Sequence, residues 1–286
     1  MEDLEQHRRY LFAVAYRLLG SAAEAEDAVQ EALLRLHTSA PADLEHPRAW
    51  LTTVTSRICL DMLGSARARR ETYVGTWLPE PIAAVDDTDL GDASALRESV
   101  RTAVLLVLET LSPAERVAFV LHDVFGMEFD QVAAVVRRTP SACRQLASRA
   151  RRRVRDQAPQ RAHVSAAEHQ RVAAAFLKAS ADGDVAALVS LLDPRVVLRS
   201  DGGGEVRAAR FPVHGPQQVV ALLSGLGRRY AGVRSVPVAL ASGEGIVLVL
   251  DGDVIGVAGV EIDAGRITEL NLVVNPKKLR RFAQGS

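Results

Sequence analysis

The strongest chemical signal in this sequence is a run of arginines near its middle. Between positions 137 and 155 the chain carries eight arginines and no aspartate or glutamate, at positions 137, 138, 144, 149, 151, 152, 153 and 155. Guanidinium groups bind phosphate oxygens through charge and paired hydrogen bonds. A local charge of +8, in a chain whose formal net charge is zero, therefore indicates contact with a nucleic acid.

The same run has the proportions of a helix-turn-helix. The apolar spacing predicts a helix over Phe129–Val136, a short turn, and a second helix that the Thr139-Pro140 cap begins. In this geometry five side chains pack inward: Val132, Val135, Cys143, Leu146 and Val154. Four polar side chains face outward: Ser141, Arg144, Gln145 and Ser148.

The second helix of such a motif enters the major groove by its N-terminal residues. Arginine and glutamine match the edges of guanine and adenine, so the four outward residues are predicted to read bases. The arginines that follow, among them Arg149 and Arg152, suit phosphate contact. The alternative is an ordinary helical hairpin with a solvated charged end, which a run of arginines without a compensating acid disfavours.

A second basic helix is predicted from Arg48 to Arg70. It carries arginines at 48, 57, 67, 69 and 70 and a single acid, Asp61, beside a group of hydroxyl side chains at Thr52, Thr53, Thr55 and Ser56. Such a helix can hold one strand of DNA. The candidate DNA contacts here are Arg48, Thr52, Thr53, Ser56, Arg57 and Arg67. Trp50, next to them, is favoured as a core residue.

Composition excludes several classes of protein. Of 286 residues, 48% are hydrophobic and 24% charged, which excludes a disordered or fibrous chain. The two cysteines, Cys59 and Cys143, provide neither a disulfide framework nor a metal cluster. No export signal or membrane span is visible, so a cytoplasmic protein is expected. No spacing of catalytic or metal-binding residues appears, so no metal and no cofactor are predicted.

The pattern of apolar residues divides the chain into three blocks. Residues 1–70 and 100–157 have helical periodicity and predict two all-α domains, the first of three or four helices. Residues 71–99 predict a linker with an acidic run at Asp86, Asp87, Asp89 and Asp92. Residues 164–286 alternate two helices with β-rich runs and predict an α+β domain with a meandering antiparallel sheet.

The two helical blocks, in this order, resemble the promoter-binding halves of a bacterial sigma factor of the extracytoplasmic-function (ECF) type. Residues 27–36, DAVQEALLRL, match the helix with which these proteins bind RNA polymerase. The resemblance makes residues 1–70 sigma region 2 and residues 100–157 sigma region 4. It implies a non-enzymatic initiation factor that binds core RNA polymerase, through the β′ clamp helices and the β flap, and promoter DNA.

The resemblance also implies roles for individual residues. The polymerase contacts would be Asp27, Gln30, Glu31 and Arg35. The helix-turn-helix would read the −35 element. The helix from Pro47 to Leu63, with the loop 38–46 before it, would hold the melted −10 element.

Residues 164–286 resemble the C-terminal SnoaL-like domain of the SigJ-like subgroup, a cone in which a curved sheet wraps a helix. Three signatures support this: WLPEP at 77–81, DGGG at 201–204 and NPKKL at 275–279. The resemblance implies control in cis, without a separate anti-sigma factor. The regulatory residues would be Trp77, Pro79, Pro81, Asp201, Gly202, Gly203, Gly204, Asn275 and Pro276.

Two positions depart from the subgroup's pattern. The glycines are usually followed by a basic residue where this chain has Glu205. The Asn-Pro pair is usually followed by aspartate where this chain has Lys277.

SnoaL-like domains outside sigma factors include isomerases and cyclases, which supplies a rival function. An enzyme of the ketosteroid-isomerase or cyclase type needs a poised acid or histidine. The candidates are Asp201, His214, Asp251 and Asp253. A small-molecule sensor with a ligand in the cone is the other alternative.

Overall fold

A computed structural model describes residues 2–41, 44–71, 73–84, 101–158 and 166–283 of the chain. The chain forms two compact units. The N-terminal unit comprises Met1–Thr72 and Asp86–Pro159, and the C-terminal unit comprises Tyr73–Val85 and Gln160–Ser286. In the described part of the chain, no helix is both long and apolar enough to cross a membrane.

Three helices form the first part of the N-terminal unit: α1 over Glu2–Leu19, α2 over Ala22–Ser39 and α3 over Pro47–Glu71. Ser21 caps α2, since its hydroxyl accepts a hydrogen bond from the amide of Glu24 at 3.3 Å. The three helices pack on one another around fully buried Leu11, Val14, Leu18 and Leu51. The predicted helical bundle is confirmed.

The second part of the unit contains α4 over Thr102–Glu109, α5 over Pro113–Phe119, a π-helical turn over Val120–Val124, α6 over Phe129–Val136 and α7 over Pro140–Gln157. Ser112 and Glu115 form a capping box at the start of α5. Between α6 and α7 the chain turns through Arg137, whose φ of 56° is left-handed. The Thr139 hydroxyl caps α7 at the amide of Ala142. The predicted helix-turn-helix is confirmed.

Arg116 of α5 connects the two parts of this unit. Its Nη1 donates to the carbonyl of Leu18 at the end of α1, at 2.9 Å, and to the Glu109 carboxylate at 2.6 Å. Burial lowers the pKa of Arg116 to about 9, so the guanidinium stays charged at neutral pH. A buried arginine must keep its partners, which ties α5 to α1.

The C-terminal unit has helices α8 over Ala166–Asp182, α9 over Val185–Leu191, α10 over Pro216–Arg229 and α11 over Pro276–Ala283. Its strands are β1 over Leu192–Asp201, β2 over Val213–His214, β3 over Arg234–Leu240, β4 over Gly243–Leu250, β5 over Asp253–Asp263 and β6 over Arg266–Val273. The α+β prediction is confirmed, and the helices α8 to α10 pack on the sheet through apolar residues such as Phe176, Leu198 and Val219.

The sheet has the order β2-β1-β6-β5-β4-β3. Strands β3 to β6 form the predicted antiparallel meander, while β1 pairs with β6 in parallel. At the free edge of β3, Ala83 forms an antiparallel bridge with Leu240. The amide of Ala84 donates to the Ala239 carbonyl, and the amide of Ala241 donates to Ile82. The segment before residue 85 therefore extends this sheet.

Among the β-rich runs and helices of residues 164–286, the apolar pattern predicts a strand over Val206–Val213 and a helix over residues 167–192, and both differ in the structure. The run Val206–Val213 is not a strand, except at its last residue, because the glycines before it turn the chain. The amide of Ala209 is bound by the Ser200 hydroxyl at 2.8 Å instead of by a strand neighbour. The helix expected over residues 167–192 is broken at Gly183, whose φ is 67°. The acidic run at residues 86–92 lies outside the described residues.

Candidate functional site

One face of α7 is a polar surface open to solvent. Ser141, Arg144, Gln145 and Ser148 are all exposed and line a shallow concavity together with Arg149. Cys143 and Leu146, on the opposite face, are buried. The Arg144 guanidinium lies 5.7 Å from the ring centre of Phe129, at the start of α6. The four residues predicted to read bases thus share one accessible surface.

The arginines farther along α7 are partly neutralised by acids from other elements. Arg149 lies 2.8 Å from Glu115 and Arg151 lies 2.6 Å from Asp123. The Arg153 side chain donates to the carbonyl of Thr110. Arg152 is exposed and makes no ion pair with any described residue. Residues 137–155 contain no acid. In the folded unit, however, Glu115 and Asp123, which lie outside that stretch, neutralise two of its arginines.

Glu115 is held in its charged form by these contacts. Burial alone would raise its pKa, but hydrogen bonds from Arg149 and Ser112 outweigh burial, and the pKa is lowered from its ordinary value of 4.5.

The face of α3 that carries the hydroxyls is covered. Thr52 and Ser56 are buried, which corrects the expectation that they are accessible to DNA in this arrangement. The physical reason is that α3 packs against α1 and α2 as well as against α5 and α6. Arg57 of α3 donates a hydrogen bond to the Ala134 carbonyl of α6 at 2.9 Å.

The remaining α3 candidates are arranged differently. Thr53 is half-buried and its hydroxyl donates to the Ala49 carbonyl one turn earlier. Arg48 is exposed, with its guanidinium 4.0 Å from the ring centre of Tyr10. The side chain of Arg67 lies outside the described part of the chain.

Three buried polar atoms on the covered face have no hydrogen-bond partner among the described residues: Oγ1 of Thr55, Oγ of Ser56 and Nε of Arg57. Unsatisfied buried groups cost free energy. These three atoms therefore reduce the stability that burial of this part of α3 provides.

The polymerase candidates lie on one side of α2. Asp27, Gln30 and Arg35 are exposed, and Glu31 bonds to Arg35 at 2.8 Å. Among them stands Leu34, a large apolar side chain that is 56% exposed. The sequence assigned Leu34 no role, although its distance of seven residues from Asp27 places it on the same helical face.

Asp201 is the centre of the contact between the linker segment 73–84 and the rest of the C-terminal unit. It is fully buried at the end of β1. Its Oδ1 accepts hydrogen bonds from the Tyr73 hydroxyl at 2.6 Å and the Gly203 amide at 3.0 Å. Its Oδ2 accepts from the Leu78 amide at 2.9 Å and from Lys278 Nζ at 2.8 Å. Four donors satisfy this buried carboxylate.

Lys278 of α11 completes the contact from the other side. Its Nζ also donates to the Leu78 carbonyl and lies 4.3 Å from the ring centre of Trp77. A cation over an indole face is attracted to it, the more so when both are shielded from water. Leu78 itself is fully buried. The linker is thus fixed at the main chain of Leu78 and at the side chain of Trp77.

Asn275 and Gly203 fit together beside this contact. The Asn275 side-chain amide donates to the Tyr73 hydroxyl at 2.9 Å and its Oδ1 accepts from the Lys277 amide at 3.0 Å. Gly203 has a φ of 63°, and a Cβ at this position would overlap the Asn275 side chain. Burial, together with the hydrogen bond to Asp201, raises the pKa of Tyr73 and keeps its hydroxyl a donor.

The three signatures of the C-terminal unit therefore meet in one place. Asp201 and Asn275 bond to the segment that carries Trp77, at Tyr73 and Leu78, whereas Pro79 and Pro81 have no backbone N–H to donate. The sequence missed Tyr73 and assigned no role to Lys278, although Lys278 lies within the third signature. The position of neither residue along the chain indicates which distant residue it contacts.

The two departures from the subgroup's pattern also meet. Glu205 and Lys277 form an ion pair between the glycine loop and α11. An acid replaces the usual base in one segment and a base replaces the usual acid in the other. In this chain the two charges attract each other and link the glycine loop to α11.

A cavity of about 1560 Å³ lies inside the C-terminal unit. Its wall is mostly apolar and comes from α8, α10, the sheet and α11. None of the four candidate catalytic residues, Asp201, His214, Asp251 and Asp253, is part of that wall. His214 is exposed on β2, and the two other aspartates lie in the β4–β5 turn region at the surface.

Comparison with known proteins decides the family. Residues 4–69 match the model of sigma-70 region 2 and residues 101–154 match that of sigma-70 region 4. The chain is 46% identical, over 231 residues, to the ECF RNA polymerase sigma factor SigJ of Mycobacterium tuberculosis, covering 80% of this chain and 74% of that one. The chain belongs to the ECF sigma factor family.

One further relative and one solved structure match nearly the whole chain. The probable sigma factor SigI of Mycobacterium tuberculosis is 37% identical over 278 residues, covering 96% of this chain and 92% of the relative. The crystal structure of Mycobacterium tuberculosis SigJ superposes with a TM-score of 0.76 at 37% identity and covers 98% of both chains. The ECF sigma factor described here has SigJ-like organisation, with helical regions 2 and 4 followed by an α+β, SnoaL-like C-terminal unit.

Membership establishes the biochemical role. ECF sigma factors bind core RNA polymerase and promoter DNA and direct promoter-specific initiation of transcription. The protein is a transcription factor and not an enzyme.

Proposed function

We propose that this sigma factor is restrained by its own C-terminal unit, which binds the linker between regions 2 and 4. One observation supports the proposal above the others: the amide and the carbonyl of Leu78 are both engaged, by Asp201 and Lys278 respectively. Hydrogen bonds to both main-chain groups fix the linker's path as well as its position.

A fixed linker affects promoter recognition because it is the covalent connection between the two DNA-reading regions. Reaching two promoter elements at once requires a particular separation of regions 2 and 4. With residues 73–84 attached to the C-terminal unit, fewer linker residues remain to adjust that separation. Because the contact is intramolecular, a modest binding energy suffices for control.

The polymerase contact is proposed for α2. Asp27, Gln30, Glu31 and Arg35 would bind the β′ clamp helices, with Leu34 as the apolar centre of the surface. An exposed apolar side chain surrounded by polar ones is typical of a protein interface. Region 4 would contact the β flap.

The promoter contacts are proposed on two helices. Ser141, Arg144, Gln145 and Ser148 of α7 would read the −35 element, with Arg149 and Arg152 on phosphates. The α3 residues Arg48, Thr52, Thr53, Ser56, Arg57 and Arg67 would hold the −10 strand. Since Thr52 and Ser56 are buried here, this role requires that the helices packed over them move away. The three unpartnered polar atoms on that face lower the cost of the movement.

Control in cis would make a separate anti-sigma protein unnecessary. We expect the sigma factor to act in the cytoplasm, with its polymerase and promoters.

Transcription in vitro tests the restraint directly. Full-length wild type and Lys278→Met would each be titrated into core polymerase on a promoter selected with the wild-type protein. Removing the lysine charge frees the Leu78 carbonyl, so the variant should give severalfold more transcript than wild type when the sigma factor is limiting. Lys178→Met, at an exposed lysine on α8 of the same unit, serves as the control. Equal output from Lys278→Met and wild type would refute restraint through this contact.

A further inference from the structure

The cavity of the C-terminal unit has a wall suited to an apolar ligand body. It is lined by buried or half-buried side chains such as Phe176, Leu198, Leu222, Ile246 and Leu270. Its volume of about 1560 Å³ exceeds that of most small-molecule sites, which measure roughly 300–1,000 Å³. A wall of this kind offers water few hydrogen-bond partners, so a hydrocarbon group is its natural occupant.

The charged residues of the wall are all of one sign. Arg207, Arg229 and Arg234 line the cavity, and no aspartate, glutamate, histidine or lysine does so among the described residues. All three arginines are exposed, so they lie where the cavity opens to solvent. None forms an ion pair with a described residue. Their guanidinium groups are therefore available to an anion.

The same wall disfavours catalysis. General acid–base catalysis most often uses a carboxylate or an imidazole within reach of the substrate. The described wall contains neither, and the Ser200 hydroxyl, which lies on it, already accepts a hydrogen bond from the Ala209 amide. The cavity is built for binding.

Two chain segments line the cavity and also hold the linker. Ser200 is on the wall and the next residue, Asp201, binds the linker. Leu279 is on the wall, and the preceding residue, Lys278, binds the linker. The end of β1 and helix α11 thus present one side to the cavity and the other to residues 73–78.

These observations lead to a specific ligand class. We propose that the cavity binds an amphipathic organic anion, a hydrocarbon body with one carboxylate, and that binding strengthens the linker contact. The hydrocarbon packs against Leu279 and the strands, and the carboxylate meets the arginines at the mouth. A ligand that adds contacts to α11 in its docked position stabilises that position. The binding step is independent of the restraint proposed above, and only the effect on the linker rests on it.

Ligand binding is measured on the free full-length protein, without polymerase or DNA. The fluorescent probe is 1-anilinonaphthalene-8-sulfonate, and the competitors are dodecanoate, dodecanol and dodecyltrimethylammonium. The two ions are kept below their critical micelle concentrations and dodecanol below its solubility limit. At pH 7.5 the affinity of dodecanoate, measured by displacement of the probe, should be at least about tenfold higher than that of dodecanol. One charge-assisted hydrogen bond supplies a difference of this size. The cation should bind worst. Equal affinity for dodecanoate and dodecanol, or no displacement at all, would overturn the proposal.

Arginine variants distinguish binding of the carboxylate by the arginines at the cavity mouth from a general effect of surface charge. Arg207→Gln, Arg229→Gln and Arg234→Gln together should lose about tenfold in dodecanoate affinity while dodecanol is unaffected. The matched control changes three exposed arginines of the same unit that lie outside the wall, Arg171, Arg195 and Arg266, to glutamine. All six side chains are at the surface, so folding should be preserved. An equal loss in both triple variants would show that only net charge matters.

Hydrogen exchange tests the coupling. Saturating dodecanoate should slow exchange of the Leu78 amide, which is bonded to Asp201, and of the Ala84 amide, which is bonded to Ala239. Unchanged or faster exchange at Leu78 in protein shown to bind dodecanoate would overturn the coupling. Because this readout contains no transcription step, its failure is distinguishable from failure of the proposed restraint.

Discussion

Lys278 Nζ lies 2.8 Å from Asp201 Oδ2, and both side chains are almost inaccessible to solvent, with 11% and 0% exposure. The two residues are 77 positions apart and come from different elements, the end of β1 and helix α11. Between them they hold the main chain of Leu78, which belongs to a third segment. A buried ion pair thus organises the junction of the linker, the glycine loop and the last helix.

The two charges of this pair should depend on each other for stability. Asp201→Asn or Lys278→Met alone leaves a buried partner without its counter-charge and should lower the free energy of unfolding by about 3 kcal/mol. The double variant should cost clearly less than the sum of the two. Urea unfolding followed by tryptophan fluorescence measures this, since Trp77 lies on Lys278. Strictly additive losses would mean that the two groups do not depend on each other.

The Glu205–Lys277 pair should tolerate exchange. Glu205→Lys or Lys277→Glu alone places like charges together, whereas the double variant restores an ion pair with reversed polarity. Because the side chains are 45% and 67% exposed, we expect a coupling free energy of about 0.2–1 kcal/mol in a double-mutant cycle of unfolding. High salt should reduce it. If the double variant lost as much free energy of unfolding as the two single variants together, the reversed charges would not form a stabilising pair.

The acidic side of α2 should be essential for holoenzyme formation. Asp27→Lys with Glu31→Lys reverses two charges four residues apart on one face and should abolish binding to core polymerase. Size-exclusion chromatography of the mixture measures binding, and circular dichroism checks that helicity is kept. Asp182→Lys, at an exposed acid of α8, is the control and should bind normally. Normal assembly by the double variant would show that this face is not the polymerase contact.

Arg144 and Arg152 should differ in what they recognise. In holoenzyme, Arg144→Ala should lose on the order of 1–3 kcal/mol of discrimination at one promoter position. Arg152→Ala should weaken binding to all sequences and reduce the salt slope by about one. Binding to a set of single-substitution promoters, measured at several salt concentrations, separates the two effects. A uniform loss from Arg144→Ala would place Arg144 on phosphate.

Glu115 should make the N-terminal unit sensitive to acid. Its pKa in the folded state lies below the ordinary value of 4.5, so its contribution is complete above about pH 4.5 and is lost as the pH falls through the lowered folded value. At pH 7, Glu115→Gln should cost about 1 kcal/mol, since Arg149 is half exposed. The free energies of unfolding of wild type and Glu115→Gln, measured from pH 7 down to pH 3, should become equal at the acid end. A constant difference across this range would contradict the assignment.

The features that the sequence determined by itself are those with local causes. The helix-turn-helix is marked by the Thr139-Pro140 cap and by apolar residues at helical spacing, all within about two dozen residues. The start of α2 at Ser21 and the meander from β3 to β6 have equally local signals, a cap and tight turns. The side of α7 that is exposed follows from the period of the helix, so Arg144 and Gln145 could be placed from their spacing alone.

Only the tertiary structure decided which distant residues meet. Thr52 and Ser56 read as accessible hydroxyls on a basic helix, but the packing of other helices on α3 buries them. Glu205 and Lys277 read as two separate departures from a pattern until they are found to form a pair. Asp201 read as part of a glycine signature with no stated partner, and Tyr73 and Lys278 had no role assigned. Spacing along the chain encodes neighbours on one helix or strand, whereas the partner of a buried charge is set by how separate elements pack.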